Sequence, residues 1–276
     1  MTGDHAPNRL SVVVLSCGPL GYEVANRISS LEEVGAVSLV QADYTRRQLS
    51  PVGKVRHVLK YQGWPGLWRV LASRLRKAET TREPASAPSL ADGIAHYHFS
   101  DFHESACIAQ LEAIGADLGV LAGTYILKES VFDVPRMGCI NLHTGKAPEY
   151  RGAAPAFWEL YNGETEVGVT VHEVTADLDA GRVLAQESFP LDSAPPGDPM
   201  DHVMSMRNDV LLPNGVRMLA EGVQSIARGT TEWSTQDSTV ARTYRTPDYS
   251  AKKQLAKRVA RRRRERGLVT TGRQSS

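Results

Sequence analysis

Short apolar runs rich in β-branched residues, alternating with helical patterns, constrain this chain most. The first run, Leu10–Ser16, ends at CGPLG and precedes a helical pattern that reaches about residue 31. A fully apolar run that feeds a helix is typical of a buried parallel strand. Further strands are predicted at 36–41, 117–122, 138–142, 169–174 and 183–191, with a helix at 104–114. This alternation predicts an α/β fold, in which a mostly parallel sheet has helices on both faces.

Two stretches depart from that alternation. Residues 45–93 begin with a basic helical pattern at 54–77, broken at GWPG, and close with the loop-like EPASAPSLADG. A second helical pattern begins at Pro199 and is followed by a basic helix at 251–266. We therefore predict a main domain at 1–195 with a basic insertion or lid at about 45–93. A helical C-terminal extension at 196–276 would end in a basic, partly disordered tail.

The net charge of +1 conceals a strong charge asymmetry. Residues 252–266 hold nine Lys or Arg against one acid, and residues 46–82 hold ten against one. Such segments either form solvated helix faces or make weak contacts with phosphate, RNA or an anionic membrane.

The remaining composition is that of a cytoplasmic protein. Cys17, Cys107 and Cys139 are scattered without CxxC spacing, which predicts neither disulfides nor a zinc site. The three histidines between residues 96 and 103 lack nearby ligands of metal-binding type, so no metal site is predicted. The first residues lack the apolar core of an export signal, and no apolar run reaches the ~20 residues of a membrane-spanning helix.

The candidate catalytic residues begin at the strand GCINLH. Asn141 and His143 alternate along it and therefore share one face. An amide can donate a hydrogen bond to an oxyanion, and an imidazole can do so or carry a proton. Asp179, in the loop ADLDAG, could orient His143 and favour its charged form. Taken singly, each has a structural alternative: a satisfied histidine, a turn-capping asparagine, or a helix-capping or loop aspartate.

Joint occurrence favours function, because the ordered pattern resembles a known family. The runs are N-x-H, P-x-Y-R-G, N-G-E-x-x-x-G-V-T-V-H and L-D-x-G, within about residues 94–191, with weaker support at 10–21. Together they resemble the folate-dependent formyltransferases, which formylate glycinamide ribonucleotide, methionyl-tRNA or amino-sugar nucleotides. The resemblance implies a Rossmann-like sheet and a formyltransferase catalytic domain at 1–195.

It also implies a catalytic trio of Asn141, His143 and Asp179, with 10-formyltetrahydrofolate as the formyl donor. Two segments match the loops that bind the folate ring in the family. The implied folate-binding residues are Tyr125, Ile126, Leu127, Ala176, Asp177 and Leu178.

The acceptor is less constrained by the sequence. The candidate acceptor-binding residues are Gly18, Lys146 and Arg151. The two cations could bind a phosphate or carboxylate of the acceptor. Lys146 departs from the S-L-L-P run that is common in the family. We expect a small amine, with a nucleotide-linked amino sugar favoured over a siderophore-type hydroxylamine or methionyl-tRNA.

Two further functions stay open at the level of sequence. Water could replace the amine, which would give formyl-folate hydrolysis. A protein that binds RNA or a membrane surface through its basic segments, on a repurposed transferase fold, is the non-enzymatic alternative.

Overall fold

The computed structural model describes residues 9–43, 51–75 and 89–272. The strands are β1 Leu10–Ser16, β2 Val34–Ala42, β3 Ala95–Phe99, β4 Leu118–Ala122, β5 Cys139–His143, β6 Arg151–Gly152, β7 Glu166–Glu173, β8 Val183–Pro190 and β9 Thr243–Tyr244. The helices are α1 Leu20–Ser29, α2 Pro51–Leu75, α3 Ser105–Ile114, α4 Glu129–Phe132, α5 Phe157–Asn162, α6 Pro199–Ser205, α7 Leu212–Arg228 and α8 Tyr249–Gly272. None of these helices is long and apolar enough to span a bilayer.

Seven strands form one sheet in the order β3-β2-β1-β4-β5-β7-β8. The first five in this order pair in parallel, and β7 and β8 add in antiparallel orientation. The predicted mostly parallel, Rossmann-like sheet is therefore confirmed. The connection from β5 to β7 contains only the short elements β6 and α5, and no long crossover helix returns the chain for parallel pairing.

Helices cover both faces of the sheet, also as predicted. Alternate residues of β1 belong to two different apolar clusters: Val12 and Val14 to one, Val13 and Leu15 to the other. The first cluster packs against α1, α5, α7 and α8, and the second against α3 and α4. A strand buried on both faces requires the continuous apolar sequence seen in LSVVVLS.

The basic insertion contains the predicted helix and its break. α2 is interrupted at Gly63, whose φ of 66° is accessible mainly to glycine. Residues 45–50 and 76–88 of the insertion lie outside the described residues. β3 follows the insertion and forms one edge of the sheet.

The long helical pattern after Pro199 is divided into α6, a π-helical turn at Met206–Leu211, and α7. Beyond it, the basic helix α8 is fixed to the main domain and continues past the predicted end at residue 266. Leu255 and Val259 are fully buried. The Arg262 guanidinium donates to the carbonyl of Leu160 at 2.7 Å, and that of Arg266 lies 2.6 Å from an oxygen of Asp192. Part of the basic charge is therefore used inside the protein. The predicted disordered tail is described only to Gly272; residues 273–276 lie outside the described ranges.

Candidate active site

Asn141 and His143 lie at the carboxyl end of β5 and project from the same face of the strand. Both line one cleft, and the intervening Leu142 is largely buried. Strand alternation therefore places an amide and an imidazole side by side, as the sequence predicted.

Asp179 reaches the same point from the loop after β7. Its backbone adopts a left-handed φ of 50°. Its Oδ2 accepts a hydrogen bond from the Gly152 backbone N–H at 2.7 Å and lies 3.5 Å from Nδ1 of His143. The three predicted catalytic residues thus meet, although they are 38 positions apart from Asn141 to Asp179.

The tautomer of His143 is set by a backbone group. Its Nε2 lies 2.6 Å from the carbonyl oxygen of Tyr150. A carbonyl can only accept, so Nε2 carries a proton and Nδ1 of the neutral ring is free to take one. Asp179 was predicted to orient His143 and to favour its charged form; at a separation of 3.5 Å the carboxylate is an electrostatic partner of the ring.

Burial and neighbouring charge have opposite effects on the pKa values of His143 and Asp179. Burial lowers the pKa of His143, and the charge of Asp179 and the Tyr150 carbonyl only partly offset it. Burial opposes ionisation of Asp179, but its polar neighbours, His172, His143 and the backbone N–H of Gly152, bring its pKa down to about 2. At neutral pH the site therefore holds a carboxylate beside a neutral imidazole.

His172 is a fourth polar residue of the site, and the sequence analysis did not select it. It is paired directly with Asn141 in the antiparallel β5–β7 register. Its Nε2 lies 3.2 Å from Nδ2 of Asn141 and 3.4 Å from Oδ1 of Asp179. The alternation in VTVHEV places His172 on one strand face, but only the register of β5 against β7 shows that it faces Asn141.

The cleft that holds these residues has a volume of about 1280 Å³. All six residues predicted to bind folate line it, together with the three predicted catalytic residues. Ile126 and Leu178 are 72% and 40% exposed, so they offer apolar surface within a cleft that also contains polar groups. This combination suits a flat, partly apolar ligand.

Tyr125 is held in place within this lining. Its hydroxyl donates to Oδ1 of Asp101 and accepts from the backbone N–H of Phe102, both at 2.7 Å. Burial raises its pKa, and the hydrogen bond to Asp101 adds to the effect. The ring is therefore fixed and neutral.

The predicted acceptor-binding residues are arranged differently. Among the residues that the structure describes, the cleft lining does not include Gly18, Lys146 or Arg151. Nζ of Lys146 lies 3.9 Å from a carboxylate oxygen of Glu166. Arg151 lines a small neighbouring chamber that also touches His143, and its guanidinium donates twice to Oε1 of Gln236, at 3.1 and 2.7 Å.

Gln236 connects the C-terminal extension to the site. Its amide nitrogen donates to the backbone carbonyls of Asp179 and Gly181 at 2.9 and 2.7 Å. β9 also pairs with β6, whose Gly152 donates to the Asp179 carboxylate. The polar, extended sequence around Gln236 carried no signal for this role, because the contact depends on tertiary pairing.

The fold and site define an α/β protein with a cleft of polar and apolar residues at the carboxyl ends of its central parallel strands. Residues 58–210, just over half of the chain, match the family model described as formyl transferase. The chain belongs to the formyl transferase family.

Curated relatives match shorter parts of the chain. A methionyl-tRNA formyltransferase of Parabacteroides distasonis is 35% identical over 129 residues, which are 47% of this chain and 38% of that protein. The corresponding protein of Geobacter metallireducens is 46% identical over 83 residues, or 30% and 27% of the two chains. The matched region thus spans less than half the length of these relatives.

Solved structures share the fold over most of the chain. A sugar N-formyltransferase from a Shewanella species aligns with a TM-score of 0.56 and 13% identity, covering 91% of this chain and 87% of that one. Glycinamide ribonucleotide transformylase 1 from Symbiobacterium toebii aligns with a TM-score of 0.51 and 19% identity. The alignment covers 83% of this chain and 95% of that one. At these identities the likeness concerns the fold alone.

Proposed function

We propose that this protein transfers a formyl group from 10-formyltetrahydrofolate to a primary amine of a nucleotide-linked amino sugar. One observation carries the proposal: the Asn141 amide, the His143 imidazole and the Asp179 carboxylate converge within a single cleft. A hydrogen-bond donor, a proton carrier and a fixed anion are the groups that amine acylation requires.

The donor half of the proposal is supported by the rest of the cleft. The exposed apolar side chains of Ile126 and Leu178 provide surface that an aromatic ring can cover. The backbone of both predicted folate loops lies beside them, and Tyr125 is locked in position. The donor supplies a formyl group carried on nitrogen, and the protein supplies its orientation.

Asn141 is assigned the role of hydrogen-bond donor to the oxyanion. One N–H of its amide is directed toward His172, and the other remains to donate to the oxygen of the formyl carbon as the amine adds. Removing one such donor typically costs about 10²–10³ in rate.

His143 is assigned the transfer of the amine proton, and Asp179 is assigned the stabilisation of the charge that this produces. As the bond from the amine nitrogen to the formyl carbon forms, that nitrogen must lose a proton. Nδ1 of His143, unprotonated and 3.5 Å from the carboxylate, can receive it, and the resulting imidazolium is stabilised by the adjacent charge. The proton returns to the folate nitrogen as its bond to the formyl carbon breaks.

The amino-sugar acceptor is supported by the C-terminal extension. In the family, tRNA-formylating enzymes carry a β-rich C-terminal domain, whereas the described part of this extension is mainly α6, α7 and α8. We propose that residues 1–195 form the catalytic domain and that 196–276 complete the cleft through Gln236 and β9. A folate donor also fits the predicted cytoplasmic location.

A panel of amines with 10-formyltetrahydrofolate, followed by folate absorbance, tests the proposal. Nucleotide-linked amino sugars are expected to be formylated, with mass spectrometry showing a gain of one formyl group, and Asn141→Ala is the inactive control. If methionyl-tRNA or a hydroxylamine is formylated and amino sugars are not, the proposed acceptor is wrong but the proposed formyl transfer still holds. Formate release without any acceptor would assign hydrolysis, and no donor turnover with any amine would reject the function.

A further inference from the structure

α2 presents two large apolar side chains to solvent. Trp64 and Trp68 are 68% and 69% exposed and lie one helical turn apart, so they share a face. Val52 and Val55, on the part of α2 before Gly63, are also exposed. The chain has four tryptophans, and the other two are only partly exposed and make ring contacts within the protein. Exposed tryptophan pairs of this kind mark interaction sites.

The opposite side of α2 is fixed to α8, which keeps the tryptophans turned outward. Gly63 lies against the ring of Tyr249, so closely that an added Cβ would approach the ring to 2.5 Å. Nζ of Lys252 donates to the backbone carbonyl of Tyr61 at 3.1 Å. α2 is therefore a docked element with one free face.

The charge around this face has one sign. From 51 to 75 the sequence contains no Asp or Glu, and Lys54, Arg56 and Lys60 are exposed on the part of α2 before Gly63. On α8, Lys257 and Arg264 are exposed as well. Outside 51–75 and 252–266 the chain carries more acidic than basic residues.

We propose that the α2 surface, defined as Val52, Val55, Trp64, Trp68 and the adjacent Lys54, Arg56 and Lys60, docks on an anionic lipid bilayer. Tryptophan and valine would enter the headgroup boundary while the cations face acidic lipids. The cations would suit any polyanion, but the exposed valines and tryptophans favour a bilayer. An RNA-binding face would need bases stacked between aromatic and cationic groups along an extended groove.

Docking would bring the cleft to the membrane. Tyr61, on the same helix, lines the cleft that holds Asn141 and His143. An acceptor presented at the lipid surface could then reach the site without the protein leaving the bilayer. The docking itself depends on neither the donor nor the acceptor of the proposed reaction.

Vesicle co-sedimentation with the full chain tests the proposal. We expect binding to equal mixtures of phosphatidylcholine and phosphatidylglycerol at least about tenfold stronger than to phosphatidylcholine alone, weakening as salt rises. Trp64→Ser/Trp68→Ser should reduce binding by about tenfold or more. Met137→Ser/Val240→Ser, which removes two exposed apolar side chains outside α2 (54% and 45% exposed), should bind like wild type.

Each alternative outcome is decisive. Absence of vesicle binding at low salt, or unchanged binding by the double tryptophan variant, overturns the proposal. A dimer in analytical ultracentrifugation that the same variant dissolves would assign the face to a second copy and also overturn it. Binding to RNA without binding to vesicles does so too. Circular dichroism melts of both variants verify that each is folded, and donor turnover is measured separately.

Discussion

The side-chain amide nitrogen of Asn141 lies 3.2 Å from Nε2 of His172, on the strand directly paired with β5. The other ring nitrogen of His172 lies 2.8 Å from the carbonyl of Glu173 and must therefore be the protonated one. In the neutral ring, Nε2 can only accept, which orients the Asn141 amide with its NH₂ toward the imidazole. His172 is thus a positioning residue for the proposed oxyanion donor.

His172→Phe is expected to lower kcat by roughly tenfold, because losing one buried hydrogen bond leaves the amide free to rotate. KM for the folate donor should stay near wild type. Steady-state kinetics separates the two parameters, with His96→Phe, a histidine outside the cleft that bonds to Gln41, as the matched control. An unchanged kcat would show that Asn141 needs no such support.

Asn141→Ala removes the proposed oxyanion donor itself. We expect kcat to fall by about 10²–10³, with a thermal unfolding midpoint close to wild type, since the side chain is only partly buried. Single-turnover formyl transfer measures the loss directly. Turnover near wild type with saturating donor would remove Asn141 from the mechanism.

The sequence predicted much of the site because its key residues follow from local rules. The position of Asn141 and His143 on one strand face needs only a period of two, and the resemblance supplied Asp179 and the folate loops. His172, Gln236 and the docking of α8 depend on register and tertiary pairing. The same limit explains why the bond between Gln236 and Arg151, a predicted acceptor-binding residue, could not be foreseen.

Asp179→Asn removes the charge beside His143 and keeps the size of the side chain. We expect kcat to fall by about 10²–10⁴, as for other losses of acid–base function. Asp179 has a pKa of about 2, so the wild-type activity profile should show no Asp179 titration between pH 5 and 9. Burial already lowers the pKa of His143, and this pKa should fall further without the carboxylate. NMR titration of the imidazole measures the shift; a rise in this pKa would contradict the electrostatic role.

Glu159→Gln tests a buried charge next to the site. Burial raises the pKa of Glu159 to about 7, and its Oε1 has no partner among the described residues. Because the unfolded carboxyl ionises near 4.5, the folded protein loses stability as pH rises from there and reaches its full penalty above 7. That penalty is about 3 kcal/mol at most. The variant should therefore be more stable than wild type at pH 8 and equal to it at pH 4, as measured by urea unfolding. Equal stability at both values would mean that the carboxylate is solvated.

Gln236→Leu tests whether the C-terminal extension is part of the catalytic site. The Gln236 amide holds the carbonyls of Asp179 and Gly181, and Asp179 occupies a strained left-handed conformation that needs such support. Leucine keeps the volume but donates nothing, so the loop should relax and the carboxylate should leave the vicinity of His143. We expect kcat to fall by roughly tenfold and the pKa of His143 to decrease, since its neighbouring charge moves away.

Gln224→Leu is the control for this change. The side-chain amide of Gln224 also donates a hydrogen bond, but its acceptor is Glu33, and neither residue lines the cleft. Gln224→Leu should alter stability without altering kcat or the His143 titration. If Gln236→Leu also leaves both unchanged, the extension only packs against the catalytic domain. If both change together, a residue beyond 195 fixes the electrostatics around Asn141, His143 and Asp179, which all lie before it.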